Sequence, residues 1–301
     1  MSALEVPAAR QRLDALSTTI VVACSFIWGL NQVAIKVANG GLQPVFQAGL
    51  RSLFACLLLI VWCRVRGIRL VSDDGTLLPG LMAGAVFGLQ FILLYTGLDY
   101  TSVSRAIVVL YTMPIWVAIG AHFWLDERLT PTKIVGLLAA FGGVVIVFFD
   151  RLSLPSSMAL VGDVLCLAAA LLWAANTLIV KGTRLRFASP EKTLIIQLAV
   201  SAVMILPISP FFGPFVRDLT PLVVAAVAYQ VIIVVAISYL VWIWLLKRYP
   251  AARLSSFAFL TPLSALVMAG VLLHEPVSRW LMAAMVLVGA GIVLVNRREA
   301  A

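Results

Sequence analysis

Two short stretches hold most of the side chains able to recognise a small molecule. Trp28, Asn31 and Gln32 are spaced i, i+3, i+4, and Trp173, Asn176 and Thr177 repeat that spacing. On a helix each trio shares one face, and Ser25 extends the first by a turn. An amide both donates and accepts hydrogen bonds, and an indole adds an apolar, π-rich surface. Such a face suits a ligand with one polar and one greasy side. It suits interhelical hydrogen bonding equally well. Gln90, Tyr95, Tyr111, Ser238, Tyr239 and Trp242 are further candidates to line a path. Covalent chemistry has no comparable support. There is no H-E-x-x-H, no phosphate-binding glycine loop, and no Ser and His at matching positions. Cys24, Cys56, Cys63 and Cys166 sit in apolar runs without C-x-x-C spacing. They read as small hydrophobes. No catalytic residue, metal or cofactor is expected.

The elements that position these side chains follow from composition. The chain has 301 residues, 62% hydrophobic and 12% charged, with a mean hydropathy of +1.07. A soluble globule cannot cover that much apolar surface, and a disordered chain would be charged and poor in hydrophobes. A bilayer is the remaining solvent. Apolar runs at 17–38, 44–63, 77–97, 102–124, 132–149, 159–181, 191–209, 219–246, 252–274 and 278–296 predict ten transmembrane helices. They are about twice as long as β-barrel strands and do not alternate. The fold class expected is therefore all-α integral membrane, and short connections predict that consecutive helices pack as antiparallel neighbours.

The net charge of +9 arises from 22 basic and 13 acidic residues. With both termini placed in the cytoplasm, 16 of the 22 basic residues fall on that side, among them Arg10, Arg12, Arg69, Arg186, Arg253 and Arg298. This is the positive-inside bias, and it leaves no reason to invoke nucleic acid.

The chain also repeats itself. FIWGLNQVAIK (26–36) aligns with LLWAANTLIVK (171–181), and LDERLT (125–130) with LHEPVS (273–278). Pro114, Glu127 and Gly143 match Pro262, Glu275 and Gly291. A tail (1–16) would then precede two five-helix repeats, 17–150 and 159–297. Five is odd, so the second repeat must enter the membrane from the opposite side. That is the arrangement of inverted-topology transporters, with a site near midplane.

Other residues have narrower readings. No Asp or Glu lies mid-span, so no ion-coupling group is evident. Pro114 and Pro262 each remove a backbone hydrogen bond and are expected to kink or hinge their helices. Gly80, Gly84 and Gly88 predict close helix packing. Lys36, Arg51, Arg105 and Lys181 are available to attract a carboxylate, although Lys36 and Lys181 also suit snorkelling. Glu127 and Glu275 are expected to cap the helices that follow them.

The W-x-x-N near the start of each half, the D-E-R and H-E-P turns and the glycine-rich segments LLAAFGGVVIVF and MVLVGAGIVLV together carry a resemblance. From about Ala15 to Arg298 the chain resembles the EamA type of the drug/metabolite transporter superfamily, and within it the YddG group. That resemblance implies a multi-pass protein of the bacterial inner membrane, monomeric or homodimeric. It implies export of small neutral amphipathic metabolites, aromatic and other neutral amino acids first, by alternating access and without enzymatic chemistry. A sugar-phosphate, nucleotide-sugar or drug carrier of the same fold is the alternative, and an intramembrane enzyme or assembly factor is the rival of another class.

Overall fold

The computed structural model describes residues 13–70, 72, 74–152, 156–274 and 278–297; Arg10, Arg12, Glu275 and Arg298 lie outside them. Among the described residues ten helices cross the molecule. They are α1 (Ala15–Gly41), α2 (Pro44–Val65), α3 (Leu77–Tyr100), α4 (two pieces, Val103–Leu110 and Met113–Trp124), α5 (Pro131–Phe148), α6 (Ser157–Gly182), α7 (Pro190–Ile208), α8 (Pro221–Leu246), α9 (Ala251–Leu272) and α10 (Leu281–Asn296). Nine are long and apolar enough to cross a membrane, and α10 is a shorter apolar helix of 16 residues. Among the described residues the β pairing is one isolated bridge, Leu42 to Val216.

Local sequence explains the helix starts. Asp14, Ser102, Ser156, Ser189 and Thr220 each accept a hydrogen bond from a first-turn backbone N–H of the helix that follows. Proline opens α2, α5, α7 and α8, where its missing N–H costs nothing. Exposed Leu57, Val61, Leu222, Val224, Val286 and Val293 form an apolar outer surface that hydrocarbon covers.

The two halves run in opposite directions. Ser17, at the start of α1, hydrogen-bonds the Tyr249 hydroxyl at 2.8 Å, and Lys181, at the end of α6, donates to the Tyr249 carbonyl. The start of one helix and the end of its counterpart thus reach the same residue. The sequence match between 125–130 and 273–278 extends to the backbone at one described position of each, the second residue. Asp126 (φ 56°) and His274 (φ 54°) both adopt the left-handed conformation, which is uncommon outside glycine but enriched in Asp and His.

Packing departs from expectation. Consecutive helices are not the principal neighbours. Instead α3 lies against α6 and α7, α2 against α7, α1 against α8 and α9, and α5 against α10. Short loops tie helix ends together without dictating which faces meet along their lengths. In a bilayer those faces are chosen by close approach of small residues. A Cβ on Gly291 would stand 2.4 Å from the Gly136 carbonyl oxygen, and one on Gly162 2.7 Å from that of Gly97. Gly80 and Gly84 pack on Ile196 and Val200 of α7.

Glu127 does not cap the helix that follows it. Its two oxygens accept from the Ala251 N–H at 2.7 Å and the Ala252 N–H at 3.1 Å, the opening of α9. It also pairs with Lys181 at 2.9 Å, so Lys181 does not snorkel. One carboxylate therefore joins the α4–α5 turn, α6 and α9, satisfying a helix N-terminus and an ammonium together. At the same end Lys192 bridges to Asp74 at 2.8 Å. That ammonium and the Thr76 hydroxyl hold Asp74 well below the usual carboxylate range. Burial pushes the Lys247 ammonium down to about 7 against the opposing field of Glu191.

Candidate functional site

A cavity of about 150 Å³ lies between the halves. α1 contributes Trp28, Asn31, Gln32 and Ile35; α2 Arg51; α3 Phe87, Gln90, Phe91, Leu94, Tyr95 and Leu98; and α4 Leu110 and Tyr111. The second half supplies Trp173, Asn176, Thr177 and Val180 from α6, Leu194 and Gln197 from α7, and Tyr239, Trp242, Ile243 and Leu246 from α8. A space of this size, lined by apolar groups, accommodates a benzene ring.

Eleven of the twelve residues expected from sequence to line a path are on this wall: Trp28, Asn31, Gln32, Gln90, Tyr95, Tyr111, Trp173, Asn176, Thr177, Tyr239 and Trp242. Ser238 is not. It stands behind the wall, where its hydroxyl accepts the Trp28 indole N–H at 2.9 Å and donates to the Val234 carbonyl. Ser25 is likewise turned away, donating to the Val21 and Phe257 carbonyls. Tyr95 faces the cavity rather than the glycine stripe of its own helix.

Three backbone irregularities set this wall. The α4 break at Tyr111–Thr112 lies just before Pro114, whose missing N–H removes a helix hydrogen bond and whose ring crowds the preceding turn, and Tyr111 turns inward there. Before Pro262, α9 tightens to a 3₁₀ turn over Phe257–Phe259. In α8, Gln230–Tyr239 winds as a π-helix, a departure common at functional sites, which shifts the angular position of Tyr239 and of Trp242 just beyond it. The prolines are legible in the sequence, whereas nothing in a uniformly apolar run marks the π segment.

The aromatic side chains form a connected belt. Trp28 meets Trp242 edge to face at 5.1 Å and Tyr239 at 6.2 Å. Phe87 meets Tyr239 at 6.3 Å and Phe91 at 5.0 Å, and Phe91 stacks on Tyr95 at 6.3 Å. Opposite, Tyr111 meets Trp173 at 6.2 Å. Phe87 and Phe91 do not stand out in the sequence because phenylalanines abound there, although with Gln90, Leu94 and Tyr95 they keep the i, i+3, i+4 spacing of one helical face. Gln197 belongs to no local motif that would single it out. It donates to the Asn176 amide oxygen at 2.8 Å.

Of the four cations considered from sequence, only Arg51 lines the cavity. Arg105 pairs with Asp163, Lys181 with Glu127, and Lys36 is exposed. Among the described residues no Asp or Glu is on the wall. The arrangement offers aromatic surface, several amides and one guanidinium, enough to bind and orient a small amphipathic solute.

Comparison with known proteins is consistent throughout the chain. The model of the EamA-like transporter family matches residues 16–149 and again 160–297. The uncharacterized transporter YvbV of Bacillus subtilis is 27% identical over 97% of this chain and 95% of its own. A probable amino-acid metabolite efflux pump of Salmonella typhimurium is 28% identical over 93% of this chain and 94% of its own. A solved crystal structure superposes with a TM-score of 0.80 at 20% identity, covering 94% of this chain and 98% of that one, a likeness of fold.

Proposed function

The chain belongs to the EamA-like transporter family, a family of multi-pass membrane transporters, and from that premise we propose that it exports aromatic and other neutral amino acids by alternating access. The observation that carries this reading is the composition of the cavity wall: aromatic rings and amides from both halves, with a single charged side chain among the described residues. Rings complement an apolar body and amides its polar end. A sugar-phosphate or nucleotide-sugar cargo would call for more cationic groups than Arg51 alone. Relatives described as probable amino-acid metabolite efflux pumps support the outward direction. The helix breaks before Pro114 and Pro262 are the proposed pivots, because a broken backbone ladder bends at little further cost.

Counterflow in proteoliposomes tests the substrate. Vesicles preloaded with tryptophan are expected to accumulate labelled tryptophan and phenylalanine but not a sugar phosphate. Net uptake of labelled tryptophan into empty vesicles is expected to persist when an ionophore collapses the proton gradient, because no carboxylate of the described residues lines the cavity. Failure to exchange any neutral amino acid would overturn the reading.

The same reading puts the protein in the bacterial inner membrane with both termini and the loops near Arg69, Arg186 and Arg253 in the cytoplasm. The four native cysteines are free and buried, so a background lacking them can be used for single-cysteine labelling. A cysteine replacing Arg186 is expected to react with a membrane-impermeant reagent only after the cells are opened. Labelling from outside would reverse the topology.

A further inference from the structure

The pseudo-symmetry of the two halves extends to α2 and α7, and there it is broken in an informative way. Each helix opens with a proline, Pro44 or Pro190, and the eighth residue of each faces the cavity: Arg51 in α2, Gln197 in α7. Asn31 and Asn176 are the matching residues of α1 and α6. In the second half the pair is closed, Gln197 donating to Asn176. In the first half it is open. Asn31 Oδ1 and Arg51 Nε are both buried without a hydrogen-bond partner, and Gln90 Oε1 on α3 is also unpartnered. Arg51 is 2% exposed and Asn31 5%.

An arginine cannot relieve burial by losing its proton. Its solvation must be replaced by a counter-ion, by hydrogen bonds or by a π face. Only the last is present among the described residues: the guanidinium lies 4.6 Å from the Phe91 ring centroid. A ring face offsets a small part of the cost of burying a charge. The ion pairs among the described residues engage Arg105, Lys181, Lys192 and Arg279, and none involves Arg51. A positive fork is thus held on the cavity wall with no anion of the described residues to meet it.

We infer that Arg51, with Asn31 on the same cavity wall, is the docking subsite for an anionic group of the cargo, a carboxylate. A guanidinium presents two parallel N–H donors that fit the two oxygens of a carboxylate. The aromatic belt starts at the same place, since Phe91 lies under Arg51 and leads through Phe87 to Tyr239 and Trp28. The cargo therefore lies with its carboxylate at α2 and its apolar body along α3 and α8. The closed Gln197–Asn176 pair offers no equivalent charge, so cargo binds in one orientation rather than two. This assignment deepens the amino-acid reading and rests on it for the identity of the cargo, though not for the chemistry of the subsite.

The test uses purified full-length protein and four probes: L-tryptophan, indole-3-propionate (carboxylate, no amine), tryptamine (amine, no carboxylate) and phenyl phosphate. Binding is measured by calorimetry, and melting temperature without ligand is recorded in parallel. Wild-type protein is expected to bind tryptophan and indole-3-propionate in preference to tryptamine, and more tightly than phenyl phosphate. Tightest binding of phenyl phosphate would overturn the carboxylate assignment.

Arg51→Gln installs the residue that the second half carries at this position and removes a buried charge, so it is expected to fold. It should weaken the two carboxylate probes roughly ten- to a hundred-fold, leave tryptamine within about two-fold, and keep or raise the melting temperature. Arg51→Lys, a point charge without the fork, should fall between. An unchanged ratio of tryptophan to tryptamine in Arg51→Gln would overturn the inference. So would a lower melting temperature with all probes weakened alike, or failure of both variants to fold, since each makes Arg51 structural. If the wild type exchanges amino acids while Arg51→Gln keeps its ratio, this inference falls and the amino-acid reading stands. Arg51-dependent binding of indole-3-propionate, with no binding or exchange of tryptophan, would have the opposite meaning.

Discussion

Replacing Glu127 with alanine is expected to destabilise the protein by about 3–5 kcal/mol, the effect of breaking a buried charge pair from one side. Glu127 and Lys181 are each 14% exposed at the side chain, so little water is available to replace the lost partner. The same truncation strips the Ala251 and Ala252 N–H groups of their acceptors at the opening of α9, and unmade bonds of that kind cost more than made ones contribute. Glu127→Gln keeps an acceptor for one N–H and is expected to lie between. The combination of Glu127→Gln with Lys181→Met removes both charges and should recover most of the loss. Thermal melting of the detergent-solubilised protein measures this series. A double variant no more stable than Glu127→Ala would show that the contact matters for its hydrogen bonds and not its charges.

The two tryptophans of the repeat are expected to diverge. Trp28 is nearly buried, bonded to Ser238 and wedged against Trp242 and Tyr239. Trp28→Ala should therefore cost about 3–5 kcal/mol of stability, as deletion of a large core ring does. Trp173 is half-buried and has one ring partner, Tyr111. Trp173→Ala is expected to leave the melting temperature within a few degrees and to lower the ratio of tryptophan to alanine exchange roughly three- to ten-fold, since an aromatic contact contributes about 0.5–1.5 kcal/mol beyond its area. Exchange of both amino acids and a melting temperature for each variant give the answer. A constant ratio in Trp173→Ala would return that residue to packing.

The same divergence separates the parts of the site that are readable from sequence from the rest. The W-x-x-N faces are visible because i, i+3, i+4 spacing is local, and a polar residue in an apolar run has few places to point. Ser238 satisfies the same rule and yet points away, because the π turn of α8 alters the angular register on which the rule depends. Glu127 reads as a cap for α5 because that helix is its neighbour along the chain. Its partners are 124 and 125 residues away.

Ten apolar spans, two inverted halves and the faces that look inward are all legible in the linear chain. Span length, charge balance and residue spacing are properties of one stretch at a time, and the bilayer enforces them everywhere. Which helices pack, and which polar groups are left without partners, emerges only when the spans assemble. In hydrocarbon there is no hydrophobic force between helices, so neighbours are selected by close fit between small residues such as Gly136 and Gly291. That selection fixes the rotation of every helix about its axis. It closes the amide pair at Asn176 and Gln197, and leaves Asn31 and Arg51 open, two arrangements that the same repeated pattern permits equally.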